Sequence, residues 1–348
     1  MHNFKLDKKT LRFIDDNRIY FMFFMVLIFM MLFAPKFNSL RNYTIILRTA
    51  SVDSLVAVGF TMVLICRQLD LSIGQLISVG AIVTVGFRVQ QFGHLDPSLA
   101  WFLGFSCALL FGAVIGLVNG LLVAKAKINS FIVTLGMMTI LQGAINLYSD
   151  NAISANTEAD FLLSDFLCIP IIDSVQLITP RTLVSIVFII VFGLFLTRTR
   201  YGKNIYMVGG NPDTAWLAGI NTEKYIIGVF ILSGVLSALA GALFGMEMCA
   251  AKNDLGANSL MLVVSAVIIG GTSMAGGRGG IFKSAIAVLM LTIVAGGLNR
   301  FGFGNDVKMF AQGLILAVVV LYEAYNLYKQ EKFKGQRPEL LKELERHA

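Results

Sequence analysis

The sequence predicts an all-α polytopic membrane protein with about ten transmembrane helices. Apolar residues make up 56% of the chain and charged residues only 14%, and the mean hydropathy is +0.76. These values are far too apolar for a soluble domain of this length. Apolar segments recur along the whole chain, and each is expected to be a helix because backbone amides in hydrocarbon must be hydrogen-bonded within their own segment.

The chain divides into a transmembrane domain and two polar tails. The amino-terminal tail covers residues 1–18, the transmembrane domain 19–328 and the carboxy-terminal tail 329–348. The predicted spans lie at 19–34, 44–66, 71–90, 99–124, 130–148, 182–197, 225–246, 260–274, 281–298 and 307–328. A cleaved signal peptide is the alternative for the first run, but no small-x-small cleavage site follows it.

The distribution of basic residues predicts the orientation of the helices. With the amino terminus inside, roughly 20 of the 28 Lys and Arg residues fall on the inner side, as the positive-inside rule requires. Both termini and the polar loop 198–224 are therefore expected in the cytoplasm. The acidic, irregular loop 149–180, which contains no Lys or Arg, is expected outside. Basic residues concentrated on one membrane face give no reason to expect a nucleic acid partner.

The loop 198–224 carries the signals of a short, capped helix. Asn211 can accept hydrogen bonds from the first free amides, Pro212 has the φ angle of a first helical position, and Gly219 is a natural stop. About two turns fit between them, and such a helix is unstable in water unless it packs against something. We interpret it as a docking element at the membrane surface; an ordinary connector is the alternative.

Small residues predict close packing between helices. Gly112, Gly116 and Gly120 recur at every fourth position, and small residues recur in the same way from Ser233 to Gly245. Such ridges let two backbones approach closely within a membrane. They indicate a helix bundle and say nothing about a substrate.

The sequence lacks the motifs of an enzyme. The three histidines are isolated, the four cysteines have no CxxC spacing, and no Ser-His-Asp, HExxH or GxSxG pattern occurs, so neither a metal site nor a catalytic site is predicted. The run 276–284 superficially resembles a phosphate-binding loop but has no glycine immediately before Lys283. Cys168 and Cys249 would both lie outside, where either a disulfide or two free thiols is possible.

Ionisable residues in or near the spans are candidates for function, because a charge in hydrocarbon is costly. They are Arg48, Asp53, Arg67, Asp70, Glu247 and Glu323. Asp70 stands out because LDLSIG, residues 69–74, is typical of the capped start of a helix at the membrane edge, with capping itself as the alternative role. A proton- or sodium-coupled carrier usually needs several intramembrane acids or a histidine relay. This chain offers no such connected series of groups, so its energy is expected to come from elsewhere.

Five sequence blocks resemble the permease subunits of bacterial ABC sugar importers of the ribose, galactose, xylose and autoinducer-2 type. In chain order they are LDLSIGQLISVGA (69–81), INSFIVTLGMMTILQG (128–143), RYGKNIYMVGGNPDTAWLAGIN (200–221), LSGVLSALAGALF (232–244) and VVSAVIIGGTSMAGGRGGIF (263–282). Any one block is a weak signal, whereas five in the family's order identify the chain as a member of the branched-chain amino acid and sugar permease superfamily.

The resemblance implies a ten-helix permease that works as a pair in the bacterial inner membrane, with a second copy of itself or with a paralogous permease. Two copies of a separate ATPase subunit, which hold ATP and Mg, would dock below the pair, and an extracytoplasmic sugar-binding protein would dock above it. The segment from Pro212 to Ala218 would be the coupling helix, which passes closure of the ATPase on to the spans. This chain would hold no cofactor and catalyse no reaction.

Two sets of candidate residues follow from these blocks and from polar residues in glycine-rich surroundings outside them. Those expected to couple the chain to the ATPase are Gly202, Gly209, Gly210, Asn211, Ala215, Trp216, Gly219 and Ile220. Those expected to line the translocation pathway are Asp70, Ser72, Asn119, Phe131, Thr134, Gly270, Gly271, Ser273 and Asn299. Polar groups in glycine-rich surroundings suit a narrow route that a hydroxylated solute crosses without tight binding; helix packing and capping are the alternative role.

The chain departs from the family pattern at a few positions. Ser130 stands where Pro is usual, Gln68 and Leu69 where Gly-Ile precedes the Asp, and Trp216 where Arg is frequent; Arg67 is also unusual. Trp216 predicts a more apolar docking contact. Permeases for nucleosides and branched-chain amino acids share the fold, although GGNPDTAWLAGI is closer to the sugar branch. An ion-coupled carrier and a membrane-bound enzyme are the alternatives from other classes.

Overall fold

A computed structural model describes residues 17–149, 152–155, 157–168, 178–304, 306–318, 320–321 and 325. In this part of the chain, seven helices are long and apolar enough to cross a membrane, which confirms the prediction of an all-α polytopic membrane protein. Residues 1–16, the tail 329–348 and Glu323 lie outside the described residues.

The elements follow the predicted segments closely. In chain order they are α1 (Arg18–Phe33), α2 (Leu40–Ile65), α3 (Ile73–Gly86, continued by a π-helical turn, Phe87–Gln91), α4 (Pro97–Ala124), α5 (Ser130–Tyr148), β1 (Ala152–Ser154), α6 (Glu158–Cys168), α7 (Pro180–Arg198), α8 (Arg200–Gly210), α9 (Pro212–Leu217), α10 (Thr222–Met248), β2 (Ala250–Lys252), α11 (Ala257–Ile269) and α12 (Ile281–Arg300). Residues 306–318 are also helical.

Three of the ten predicted spans are not among the seven helices that are long enough to cross a membrane. α1 and α11 are apolar but have only 16 and 13 residues, so α11 covers about 20 Å of the ~30 Å hydrocarbon core. The predicted eighth span, 260–274, is therefore wrong at its end, because its last residues form a glycine-rich turn. The tenth, 307–328, falls partly outside the described residues.

Helices α2, α3 and α10 form the buried centre of the bundle. Nearly every residue of α2 from Ala50 to Ile65 is buried. α10 packs along α4, where a Cβ on Gly120 would lie 2.8 Å from the Cα of Ile227 and one on Gly112 would lie 2.5 Å from the carbonyl oxygen of Gly234. The predicted close approach of glycine-bearing helices is confirmed.

The amino-terminal ends of α3 and α11 meet inside the bundle. Ile153 of β1 lies beside Gly86 at the far end of α3, and β1 pairs antiparallel with β2. The chain after β2 then runs back along α3, because Gly256 packs directly on Gly74 in the first turn of α3. A backbone hydrogen bond from Gly256 N to Ser78 Oγ (3.1 Å) fixes this return. We call residues 253–256 the return segment.

The loop 149–180 is more ordered than predicted, since it contains β1 and α6. Asp160 of α6 is buried and accepts hydrogen bonds from Arg88 Nε (3.0 Å) and Trp101 Nε1 (2.9 Å). The hydroxyl and backbone amide of Thr157 also donate to its carboxylate. Burial raises the pKa of Asp160, but the bonds from Thr157 and Trp101 and the charge of Arg88 outweigh it and lower the pKa below its ordinary value. Asp160 thereby ties α6 to α3 and α4.

All four cysteines lie among the described residues and are free thiols. Cys168 Sγ accepts a hydrogen bond from Arg48 Nη2 (2.9 Å), and the Cys249 thiol donates to the carbonyl oxygen of Asp160 (3.2 Å). Of the two possibilities for Cys168 and Cys249, the structure therefore shows the free thiols.

Glu247 is the centre of a buried charge cluster. Its carboxylate forms ion pairs with Arg48 of α2 and Arg181 of α7, and its side chain is almost completely buried. Arg181 Nη2 also donates to the carbonyl oxygen of Arg48 (2.5 Å), and the guanidinium carbon Cζ of Arg181 lies 5.8 Å from the ring centre of Phe244. These contacts join α2, α7 and α10 and give Arg48 and Glu247 a structural role.

Candidate functional site

The loop 198–224 folds into two helices, of which the sequence analysis predicted only the second. The first, α8, buries Gly202, Ile205, Val208 and Gly209. Their spacing of three and four residues is the amphipathic pattern of a helix, and this signal was missed because the glycines had suggested a loop. The Thr199 hydroxyl caps α8 by accepting a hydrogen bond from Gly202 N (3.1 Å).

The second helix, α9, confirms the predicted capped helix. Asn211 Oδ1 accepts hydrogen bonds from the backbone amides of Asp213 (3.0 Å) and Thr214 (3.1 Å). Pro212 is its first residue, and Gly219 has φ +79°, the left-handed conformation that ends helices. α9 has 6 residues and is stable only through its neighbours.

One side of α9 packs against the rest of the chain, and the other side is exposed. Ala215 is buried, whereas Trp216 and Leu217 are 70% and 77% exposed. Two large apolar side chains next to each other on a protruding helix are typical of a docking surface. This favours docking over a plain connector.

α8 links α9 to the end of α2 and to the turn between α11 and α12. A Cβ on Gly209 would overlap the carbonyl oxygen of Ile65, the last residue of α2. The same oxygen accepts a hydrogen bond from Gly277 N (2.9 Å), and the Tyr206 hydroxyl donates to the carbonyl oxygen of Gly279 (2.9 Å). A force applied to α9 would therefore reach α2 and this turn through a tightly packed helix.

The eight predicted coupling residues divide by exposure. Gly202, Gly209 and Ala215 are buried, Ile220 is half-buried, and the exposed ones are Gly210, Asn211, Trp216 and Gly219. The buried residues have no surface to offer a partner, so their contribution would be to position α8 and α9.

Three predicted pathway residues meet in one polar cluster. The Asp70 carboxylate is 1% exposed and accepts hydrogen bonds from Ser72 N (3.1 Å) and Ser72 Oγ (2.5 Å). Asn119 Nδ2 donates to Ser72 Oγ (3.0 Å), and Ser233 Oγ donates to the second carboxylate oxygen (2.9 Å). Ser233 was not predicted as a pathway residue; its place in the small-residue ridge of α10 was the available signal.

Asp70 lies in a turn directly before α3, where its carboxylate accepts the hydrogen bond from Ser72 N. The predicted capped start of the helix is wrong, because α3 begins without a side-chain cap. The carboxylate is buried between α3, α4 and α10, and Gly74 lets the start of α11 pack closely on the first turn of α3.

Thr134 lies next to this cluster, whereas Phe131 does not. Thr134 Oγ1 donates to the carbonyl oxygen of Leu69 (3.3 Å), and Ser130 Oγ accepts a hydrogen bond from Leu69 N (3.0 Å). The start of α5 is thus hydrogen-bonded to the segment that contains Asp70. Ser130 makes its bond through a side-chain hydroxyl, which proline would lack. Phe131 points out of the bundle and is half-exposed.

The remaining predicted pathway residues lie elsewhere. Gly270, Gly271 and Ser273 shape the turn between α11 and α12, where Gly271 has φ +89° and Ser273 N donates to the carbonyl oxygen of Arg278 (3.1 Å). Asn299, at the far end of α12, lines a separate cavity of about 450 Å³. That cavity is also lined by Asn42, Asp53, Asn258, Ser259, Arg300 and Gln312. The nine residues therefore do not form a single site.

Among the described residues, no group of three His, Cys, Asp or Glu side chains is arranged to hold a metal ion. The polar clusters consist mainly of amides, hydroxyls and single carboxylates that are already hydrogen-bonded within the chain. This arrangement suits passage or packing better than covalent chemistry.

Comparison with known proteins agrees with these features. A family model described as "Branched-chain amino acid transport system / permease component" matches residues 42–320. The ribose import permease protein of Haemophilus influenzae is 32% identical over 90% of this chain and 94% of its own length, and that of Bacillus subtilis is 32% identical over 86% and 90%. The galactose/methyl galactoside import permease protein of Haemophilus influenzae is 27% identical over 93% and 98%. No solved structure gives a significant match. The chain belongs to the branched-chain amino acid transport system / permease component family and is a multi-pass membrane permease.

Proposed function

We propose that this permease is the membrane-spanning subunit of an ATP-driven importer for a monosaccharide or a related small hydroxylated solute. A separate ATPase subunit, which binds ATP and Mg, would supply the energy, and an extracytoplasmic binding protein would deliver the solute. Relatives that cover nearly the whole chain are named as import permeases for ribose and for galactose or methyl galactoside, which supports a sugar as the solute.

The exposed face of α9 is the observation that carries this proposal. Trp216 and Leu217 offer an apolar contact to a partner, and Asn211 fixes the helix that bears them. Gly209 seats the adjoining α8 on the end of α2 without a gap. An ATPase that binds α9 and changes conformation would thus move the buried centre of the bundle.

We infer that α8 and α9 face the cytoplasm of a bacterium and that β1 and β2 face outward. Basic side chains at the α9 end, such as Arg200, Lys203 and Lys127, support this orientation through the positive-inside rule. A second permease, either a copy of this chain or a paralogue, would complete the solute route between the two subunits.

Solute uptake by the complete importer tests the proposal. The chain is expressed together with its partner ATPase and binding protein, and uptake of labelled D-ribose, D-galactose, a nucleoside and leucine is measured in intact cells. We expect uptake of a sugar that disappears when the ATPase cannot hydrolyse ATP and persists when an ionophore collapses the ion gradients. Uptake that depends on the ion gradient and not on ATP hydrolysis would show that the chain is a secondary carrier. Uptake of leucine or the nucleoside, without uptake of either sugar, would refute the proposal that the solute is a sugar.

A further inference from the structure

A row of four amide side chains runs along one side of α5. Gln75 Nε2 donates to Gln142 Oε1 (2.5 Å), Gln142 Nε2 donates to Asn146 Oδ1 (3.0 Å), and Asn253 Nδ2 donates to the same Asn146 oxygen (2.7 Å). We call these four residues the amide row. The sequence analysis did not single out any of them.

The amide row extends from the interior of the bundle to its β1–β2 end. Gln75 lies in the first turn of α3, close in sequence to the Asp70 cluster, and Asn253 opens the return segment after β2. Ser149, directly after α5, donates its hydroxyl proton to Asn253 Oδ1 (2.6 Å) and anchors that end. The row therefore follows the half of the bundle on the β1–β2 side.

One member of the row is buried with hydrogen-bonding capacity unused. Gln75 is 8% exposed, and its Oε1 atom has no hydrogen-bond partner in the structure. A buried amide oxygen without a partner costs about 1–3 kcal/mol, so such an atom is expected to bind a water molecule. Gln142 is half-buried and Asn146 is exposed, so the row opens from Gln75 to the surface of α5.

The surface of α5 beside the amide row is small and polar. Gly136, Thr139 and Gly143 share its face by helical spacing and are exposed, and a Cβ on either glycine would meet no atom within 4 Å. At the start of α5 the same face is apolar and exposed, with Phe131, Ile132 and Leu135. The face thus changes from apolar to polar along its length.

A row of amides that faced lipid would be energetically costly, because hydrocarbon offers them no hydrogen bonds. Facing a water-filled route, the same amides would be favourable. Each amide has both donors and an acceptor, as a hydroxyl group does, and the row contains no charged side chain. This chemistry matches a neutral polyhydroxylated solute better than an ion.

We propose that the amide row lines the solute route in the half of the membrane that ends at β1 and β2, where it exchanges hydrogen bonds with the hydroxyl groups of a neutral solute. Phe131, Ile132 and Leu135 form the apolar closure at the inner end of this wall. The inference rests on the proposed function, which supplies a second permease as the opposite wall.

Labelling of introduced cysteines tests whether the amide row faces water. Gln142→Cys and Asn146→Cys are each placed in the complete importer in membranes and treated with a charged, membrane-impermeant methanethiosulfonate reagent. We expect both to react at least about tenfold faster than Ile140→Cys, which lies on the exposed apolar flank of α5, because only a hydrated thiol ionises and reacts. The unsubstituted chain gives the background of the four native cysteines. Equal rates at the three positions would overturn the proposal.

Uptake tests whether the amide row handles the solute. Gln142→Leu is expected to lower D-ribose or D-galactose uptake about tenfold, the effect of losing one or two hydrogen bonds, while ATP hydrolysis stimulated by the binding protein is retained. Gln142→Asn is expected to restore part of the uptake. The matched control is Gln312→Leu, since Gln312 is also a half-buried glutamine on a helix but lines the separate cavity with Asn299.

Normal uptake by Gln142→Leu, or an equal loss with Gln312→Leu, would refute the amide row as the solute route. A failure of the proposed function has a different signature. In that case the unsubstituted importer would take up neither sugar, whereas the labelling rates would still show whether the row faces water.

Discussion

Gly209→Ala is expected to reduce solute import about tenfold to a hundredfold, while the ATPase subunit continues to hydrolyse ATP. The added Cβ would overlap the carbonyl oxygen of Ile65, and that oxygen is held in place by its hydrogen bond from Gly277 N. Backbone cannot move aside as a flexible side chain can. α8 would therefore lift from the end of α2, and α9 would lose its rigid link to the bundle.

The neighbouring glycine supplies a matched control. Gly210 is also a candidate coupling residue, but a Cβ there would meet no atom of the chain within 4 Å and adds only one methyl group to the exposed surface, so Gly210→Ala is expected to import at close to the unsubstituted rate. Uptake and ATP hydrolysis are measured in parallel for both variants at equal expression in the membrane. If Gly209→Ala and Gly210→Ala imported equally well, the packed contact between α8 and α2 would have no part in coupling.

Glu247→Gln is expected to destabilise the folded permease by about 3–5 kcal/mol, because it removes the carboxylate that pairs with both Arg48 and Arg181 inside the bundle. The shape of the side chain is kept, so the loss reports on the charge and not on packing. The three helices joined by this cluster, α2, α7 and α10, include two of the helices at the buried centre of the fold. The thermal midpoint of the purified protein in detergent measures the effect.

Glu223→Gln makes the same chemical change at an exposed ion pair. Glu223 lies 3.3 Å from Lys127, and both side chains are well exposed. A surface pair of this kind contributes about 0–1 kcal/mol, so the thermal midpoint is expected to stay nearly unchanged. Equal shifts in the two variants would show that the Glu247 cluster does not stabilise the fold.

Local features of the sequence were sufficient to predict most of the spans and α9. The spans follow from runs of apolar residues, which are helical wherever hydrocarbon surrounds them. α9 follows from Asn211, Pro212 and Gly219, whose effects on the backbone depend on adjacent residues only. In both cases the physical cause lies within a few residues of the feature that it produces.

Features created by distant partners were not predictable in this way. α6 is fixed by Asp160, whose partners Arg88 and Trp101 lie 72 and 59 residues away in the chain. The amide row depends on the bond between Gln75 and Gln142, which are 67 residues apart. Composition identifies these side chains as polar but gives no information on which of them meet.

Some of the predicted pathway residues lie together in the structure, whereas others lie in separate places. Asp70, Ser72 and Asn119 do meet, because Ser72 lies two residues after Asp70 and α4 brings Asn119 to its hydroxyl. Asn299 has the same polar character and a glycine-rich neighbourhood, yet α12 carries it to another cavity at the far end of the bundle. A polar residue in an apolar segment indicates a polar site, whereas the site to which it belongs depends on the helix packing.

The most direct test of the account is a cross-link between α9 and the ATPase subunit in the working importer. A photo-reactive phenylalanine analogue replaces Trp216 in one sample and Leu110, an exposed residue of α4, in the other. We expect illumination to join position 216 to the ATPase in high yield and position 110 to lipid or to another permease. An active importer in which position 216 cannot be cross-linked to the ATPase would contradict the claim that α9 is where the ATPase binds.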